Sequence, residues 1–338
     1  MRLCRFEMDG RNSVGLYSED GVLPLQAAAE SQGITLEVAD GLLEFLPGGN
    51  QHERFQQLCQ GLASLMDEEL FPMKIPLDEM QLRVPVPRPS KIMLLAGNYS
   101  KHIEEGGGRA EERARTFPYV FMKPPGTTLT HPDDPVRLPA ISPDCIDREL
   151  ELGVIIGRTC RGVRESNALD YVAGYTVIND ISDRRFRPNP DRSVREKDGF
   201  FDWLHGKWHD TFCPVGPCVL PADECDDPQK LRLELRVNDG IEQQSSTAEM
   251  VFPVAGIIEF LSSFVTLEPG DLISTGTPHG VARQRGSFFD QAMYSKLKLV
   301  ELACFEIRLS PNDDGAIRLL ENQEVAMEGW RKVVLRTV

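Results

Sequence analysis

The chain has 338 residues, with 52 acidic against 37 basic side chains and a net charge of −15. Such a field repels phosphate backbones and anionic headgroups, which excludes nucleic acid as a partner and argues against a membrane surface. Hydrophobic residues at 41% and charged residues at 26% are those of a folded globular protein, long enough for one large domain or a small one followed by a larger one.

The 28 glycines and 24 prolines predict many turns and short strands, hence a β-rich protein. Met1 to Gly10 lack the apolar run and small-residue cleavage site of a signal peptide, and no stretch approaches the roughly 18 apolar residues of a spanning helix. A soluble, cytoplasmic protein is expected. Of the eight cysteines, Cys213 and Cys218 stand closest, separated by four residues rather than the two of zinc ribbons and redox motifs. Buried, reduced thiols are therefore expected.

Residues 1–83 read as a small α+β unit, with an opening hairpin and helix-like apolar spacing over Leu23 to Gln32 and Glu53 to Met66. Alternating prolines in Val84-Pro85-Val86-Pro87-Arg88-Pro89 block helix and central strand alike, so 84–90 is a linker ahead of a larger domain over 91–338. Ile92 to Ala96 predicts a short buried strand. Ser100 is placed to cap a helix through Glu105, and Gly106-Gly107-Gly108 end that helix or make the segment a lid. Beyond Arg148 strand patterns dominate: Leu150 to Ile156, Ala173 to Asn179, Leu231 to Val237 and Leu272 to Thr275. Turns fall at Asn238-Asp239-Gly240 and Glu268-Pro269-Gly270, and only Val254 to Phe264 looks strongly helical. A mixed, β-rich α+β domain follows, rather than a doubly wound sheet.

Several segments can carry chemistry. In Glu149-Leu150-Glu151-Leu152 the period of two puts both carboxylates on one strand face, about 7 Å apart, and both leucines on the other. Taken alone, such a pair is more often a solvent-facing strand edge. Asp180 ends an apolar strand where a loop begins, and three carboxylates with water suit Mg²⁺ or Mn²⁺, whereas zinc wants His or Cys. His102 and Glu105 share one side of a helical turn, so the acid can orient the imidazole as a base toward water; an exposed helix surface is the plainer reading. Lys207 lies among aromatic residues and, beside a metal, would stabilise an enolate oxygen, although a surface lysine looks the same in sequence. Thr275-Gly276-Thr277-Pro278-His279-Gly280 is a tight hydroxyl-bearing loop suited to a carboxylate.

Taken in order, these segments resemble the fumarylacetoacetate hydrolase family over roughly residues 90–282. The match is carried by Asn98-Tyr99-x-x-His102 with Glu105, Phe121-Met122-Lys123-Pro124-Pro125, Glu149 to Gly157 and Asp170 to Asp180. It continues through Gly206-Lys207, Asp210 to Pro217, Leu267-Glu268-Pro269-Gly270-Asp271 and Thr275 to Val281. The resemblance implies a rolled β-sheet catalytic domain, a homodimer, and Mg²⁺ or Mn²⁺ on Glu149, Glu151 and Asp180. It further implies a His102–Glu105 dyad activating water on a lid, and Lys207 on the enolate. Thr277 and Gly276, with Tyr99 and Arg184, would contact a small anionic oxo-acid substrate.

The implied reaction is hydrolytic carbon–carbon cleavage of an acylpyruvate-like or diketo acid. Decarboxylation, isomerisation or lyase chemistry at the same metal–enolate site, and a non-catalytic metal binder, stay open. The chain departs from the pattern where Asn-Asp-x-Ser-Ala-Arg-Asp-x-Gln becomes Asn179-Asp180-Ile181-Ser182-Asp183-Arg184-Arg185-Phe186-Arg187, and where Trp208-His209 replace Ser-Phe after the lysine. The three arginines are placed to recognise a second carboxylate, with pairing to Asp183, Asp191 or Glu196 as the alternative for Arg185 and Arg187. Pro188 to Trp203 reads as a lengthened loop, and the tail after Ala282 receives no catalytic role.

Overall fold

The computed structural model describes residues 1–63, 65, 71–111, 113–142, 145–237, 240–282, 306–311 and 336–337. The first 83 residues build a four-stranded sheet in the order β3-β2-β1-β4, from β1 (Arg2–Met8), β2 (Arg11–Ser18), β3 (Gly21–Pro24) and β4 (Gln81–Arg83). Asp9 and Gly10, both at positive φ (51° and 73°), close the β1–β2 hairpin as a tight turn matched to strand twist requires. Helices α1 (Leu25–Ser31) and α2 (His52–Leu62) bury Leu25, Ala28, Phe55 and Leu58 against this sheet's core. Leu23 falls in β3 rather than in α1, and Met66 lies outside the described residues.

A six-stranded sheet carries the rest, in the order β9-β8-β7-β12-β5-β6. Its strands are β5 (Ile92–Ala96), β6 (Tyr119–Met122), β7 (Leu150–Ile156), β8 (Val172–Asn179), β9 (Leu220–Pro221) and β12 (Leu272–Ser274). Every residue of β7 and β8 is buried, so the sheet is covered on both sides. The period of two sorts β7: Leu150, Leu152, Val154 and Ile156 enter one apolar cluster, Ile155 the other. The first cluster lies under helix α5 (Val254–Phe264) and a hairpin of β10 (Leu231–Val237) and β11 (Gly240–Ser246), to which β13 (Glu306–Pro311) pairs. The turn residues Asn238 and Asp239, like the tail at 283–305, 312–335 and 338, lie outside the described residues.

The second cluster joins the two sheets. Leu3, Val14 and Leu58 share it with Ile92, Leu94, Phe121 and Val215, and the proline-rich segment contributes buried Val84 and Val86. Arg5, itself buried, donates to the Val84 carbonyl at 2.7 Å and pairs with Asp40. The architecture is thus a small N-terminal β-rich domain against a larger mixed sheet, as the sequence predicts.

Two local expectations fail. Ser100 does not cap the lid helix: α3 runs Ser100–Glu105 with Tyr99 as the flanking residue and no capping side chain, because the Tyr99 carbonyl already accepts the Ile103 N–H at 3.0 Å. Within the stretch read as a loop, Asp198–His205 forms a helix, α4. Gly199 and the helix's eight-residue length hide it in sequence, while Arg192 fastens it by ion pairs to Asp198 and Asp202. All seven described cysteines are free thiols, and no helix among the described residues is long and apolar enough to cross a membrane.

Gly157 follows β7 where main chains meet: a Cβ there would lie 2.3 Å from the Pro47 carbonyl oxygen. Gly157→Ala is expected to destabilise the protein by about 1–3 kcal/mol through overpacking of backbone on backbone. A melting temperature within 1 °C of the parent, on the scale of roughly 2–4 °C per kcal/mol, would show that the two domains are not held at this contact.

Candidate metal centre and active site

The acidic residues converge because of strand register. Leu150 pairs with Asn179 and Glu151 with Ile178, and the Asp180 N–H continues the ladder to the Glu149 carbonyl at 2.9 Å. Glu149 and Glu151 face away from the leucine cluster, as their alternation requires. Glu149, Glu151 and Asp180 are all buried, and each offers an oxygen within 4.8 Å of the others.

Cations interleave with these acids. Lys207 Nζ donates to Glu149 Oε2 (2.8 Å), Asp180 Oδ2 (2.5 Å) and Ser182 Oγ (2.8 Å), beneath the rings of Phe121 and Trp203. Arg184 donates to Glu149 and, at 2.9 Å, to Asp147. Lys123, fully buried, donates to the carbonyls of Ile181 (2.8 Å) and Phe212 (2.5 Å) and lies 2.8 Å from Asp180 Oδ1. Burial opposes ionisation of Glu149, but Arg184 and Lys207 outweigh it and hold this carboxyl well below the usual range. Burial likewise works against the Lys207 cation, and Asp180 and Glu149 reverse the effect, raising it.

Glu151 behaves oppositely. Burial first, then the charges of Asp180 and Glu149, push its carboxyl well above the ordinary value. Its Oε2 accepts from Ser274 Oγ (2.5 Å) and the Gly276 N–H (3.0 Å). Asp180 Oδ1 has no hydrogen-bond partner in spite of the nearby lysine. Three converging carboxylates with such an orphaned oxygen fit a hard divalent cation with all-oxygen coordination.

Helix α3, which ends at Glu105, reaches the same region through the loop whose Gly276 N–H serves Glu151. His102 Nδ1 is 3.4 Å from Glu105 Oε2, and the Gly280 N–H reaches both Glu105 oxygens at 3.1 Å, tying the pair to the Thr277 loop. Thr277 Oγ1 accepts from Gln243 Nε2 at 2.9 Å, which leaves its hydroxyl proton free to donate. Gln243 also takes the Leu150 N–H at 3.0 Å, so one amide joins this loop to the ligand strand. Asn98 fastens the root of the lid, donating to the carbonyls of Thr275 (2.8 Å) and Phe252 (3.1 Å) and accepting from the Phe252 N–H. A cavity of about 490 Å³ opens beside His102, lined also by Asn98, Ile103, Arg109, Phe117 and Phe252.

Three further residues expected at the substrate have the following surroundings. Tyr99 is fully buried in the apolar cluster with Leu150 and Phe252. Gly276, at φ +88°, directs its N–H to Glu151, and a Cβ there would meet Asn98 Cβ at 2.9 Å. Arg184 is committed to Asp147 and Glu149, while Arg185 and Arg187 are exposed. Sequence reasoning assigned no role to Lys123, Asp147, Ser274 or Gln243. A lysine ending the apolar strand β6 was the one available signal among them.

Because the Glu151 carboxyl is raised, its contribution to stability without metal is full at low pH and lost as pH rises through that value. Glu151→Gln keeps an acceptor for Ser274 and Gly276 but cannot ionise. In chelator-treated protein its melting temperature should match the parent near pH 5 and exceed it near pH 8, a tenfold change in the carboxylate's proton affinity on folding being worth about 1.4 kcal/mol. Mn²⁺ should then raise the parent alone. A parent more stable than the variant across this range without metal would refute the assignment.

The family model described as fumarylacetoacetate (FAA) hydrolase C-terminal matches residues 91–306. The chain is 35% identical over 296 residues to the 2,4-didehydro-3-deoxy-L-rhamnonate hydrolase of Sphingomonas sp. (strain SKA58), covering 88% of this chain and 89% of that protein. It is 34% identical over 285 residues to the oxaloacetate tautomerase YisK of Bacillus subtilis (strain 168), covering 84% and 90%. Among solved structures, maleylpyruvate hydrolase from Sphingobium sp. SYK-6 in complex with manganese(II) ion and pyruvate aligns over 100% of this chain and 99% of that one, with TM-score 0.62 and 28% identity. With the family model matched over residues 91–306 and relatives of this identity along most of its length, the chain belongs to the fumarylacetoacetate hydrolase family.

Proposed function

We propose that this enzyme of the family is a divalent-metal-dependent hydrolase that cleaves a carbon–carbon bond in an acylpyruvate-like or diketo acid. The observation that carries the reading is the buried Glu149–Glu151–Asp180 cluster with Lys207 bridging two of its members. These three carboxylates would hold Mg²⁺ or Mn²⁺, which supplies Lewis-acid polarisation of a 2-oxo group and of a developing enolate. The manganese(II) and pyruvate in the related maleylpyruvate hydrolase structure support the choice of ion and of a pyruvate-bearing substrate.

The chain's own groups account for the remaining work. His102 takes a proton from water while Glu105 orients its ring, and the hydroxide so formed attacks the distal carbonyl. Collapse of the adduct would break the carbon–carbon bond and release an enolate, which regains at carbon the proton held by His102, while the Lys207 ammonium, fixed by Glu149, Asp180 and Ser182, opposes its negative charge. Thr277 donates its hydroxyl proton to the substrate carboxylate. The cavity beside His102 has room for the acyl portion. Exposed Phe117, Tyr119 and Met122 at and beside edge strand β6 support a homodimer.

A second reading is enol–keto tautomerisation of oxaloacetate, favoured by the 34% identity to a tautomerase and by proton transfer needing no attacking water. Metal-stripped protein, with and without Mn²⁺, should be assayed for pyruvate release from acylpyruvates and for enol–keto conversion of oxaloacetate. Hydrolysis is expected only with metal, absent in Glu149→Ala and reduced about 100-fold in kcat in Glu105→Gln, within the range of general acid–base contributions. Unimpaired hydrolysis by Glu105→Gln would end the water-activation mechanism. Metal-dependent tautomerase activity without pyruvate release would decide for the second reading.

A further inference from the structure

Asp183 and His209 lie 26 positions apart in sequence and meet in space, with Asp183 Oδ2 at 3.4 Å from His209 Nε2. The Asp183 side chain is fully buried, and neither of these atoms has another hydrogen-bond partner. The imidazole stands edge-on between two rings, 5.0 Å from Phe186 and 5.0 Å from Phe212. The other Asp183 oxygen, Oδ1, accepts the Arg185 N–H at 3.0 Å, so Oδ2 is the atom turned to the caged imidazole.

The backbone shows what the contact joins. The Asp183 N–H donates to the Gly206 carbonyl at 2.9 Å, and Lys207 Nζ donates to Ser182 Oγ. Asp183 is itself rooted by pairing with Ile146 beside Asp147. The segment that carries Asp180 and Arg184 is therefore attached to the segment that carries Lys207 just before the lysine, at its ammonium, and again at His209. Lys207 is held on both sides.

We propose that Asp183 and His209 form a clamp that positions the Lys207 segment, with neither residue touching substrate. The proposal rests on the preceding reading only for what Lys207 does once positioned. Removing one partner leaves the other buried without its counterpart, whereas replacing both by apolar groups removes the pair together and leaves the Arg185 N–H as the one group that loses an acceptor. The effects are accordingly non-additive.

The test is a double-mutant cycle on the full chain with Asp183→Ala, His209→Phe and the two combined. The first readout is hydrogen–deuterium exchange of the amides of 206–212. Each single variant is expected to speed exchange there about tenfold and leave β1–β4 unchanged, while the double variant returns to within about threefold of the parent. Where the parent turns over an oxo acid, kcat should follow the same order, with KM changed less than about threefold, since a structural loss alone would not divide the two parameters. Single variants without faster exchange, or a double variant worse than both, would overturn the clamp. A parent inactive on every oxo acid would count against the proposed reaction, and the exchange cycle would still decide the clamp.

Discussion

The site is organised by one electrostatic constraint: four buried carboxylates and three buried cations must share a volume from which water is largely excluded. They do so in alternation, Asp147 to Arg184 to Glu149 to Lys207 to Asp180 to Lys123, each charge next to its opposite. An unpaired charge in such a place costs several kcal/mol, so removal of one member exposes its neighbours to the same penalty. Glu151 stands outside this alternation, held by a hydroxyl and a backbone N–H rather than by a cation. Glu151 is thereby kept from ionising, and a divalent ion bound beside it would favour its charged form.

This arrangement depends on rigid surroundings. The ligands lie at the ends of β7 and β8, whose residues are buried throughout, so their backbone cannot yield to relieve like-charge repulsion. Two amides extend the rigidity outward. Gln243 links the ligand strand to the Thr277 loop, and Asn98 links the lid's root to Thr275 and Phe252. The lid pair needs no elaborate support of its own, because Glu105 takes the Gly280 N–H and so registers His102 against the loop proposed to hold the substrate.

The departures from the family's pattern become intelligible in the same terms. The arginines of 184–187 looked from the sequence like a single basic cluster. Instead, Arg184 is drawn inward by Asp147 and Glu149, leaving Arg185 and Arg187 on the surface. Asp183, which seemed a partner for those arginines, faces His209. Charge in this protein is paired by depth before it is paired by nearness in sequence.

The alternation in Glu149-Leu150-Glu151-Leu152, the apolar strand ending at Asp180 and the spacing of His102 and Glu105 were legible in the chain alone, because strand and helix periods fix which side chains share a face. The mixed β-rich fold and the ligand residues follow from these local rules. Helix α4 did not: eight residues with an interior glycine are too short a run to stand out, and Arg192 reaches Asp198 and Asp202 from outside the helix to hold it. The parts played by Lys123, Asp147 and Gln243 were equally hidden. A buried lysine, an acid supporting an arginine and an amide joining two segments differ from their surface counterparts only in what folding places around them, and residues 58, 37 and 34 positions apart have no local rule to bring them together.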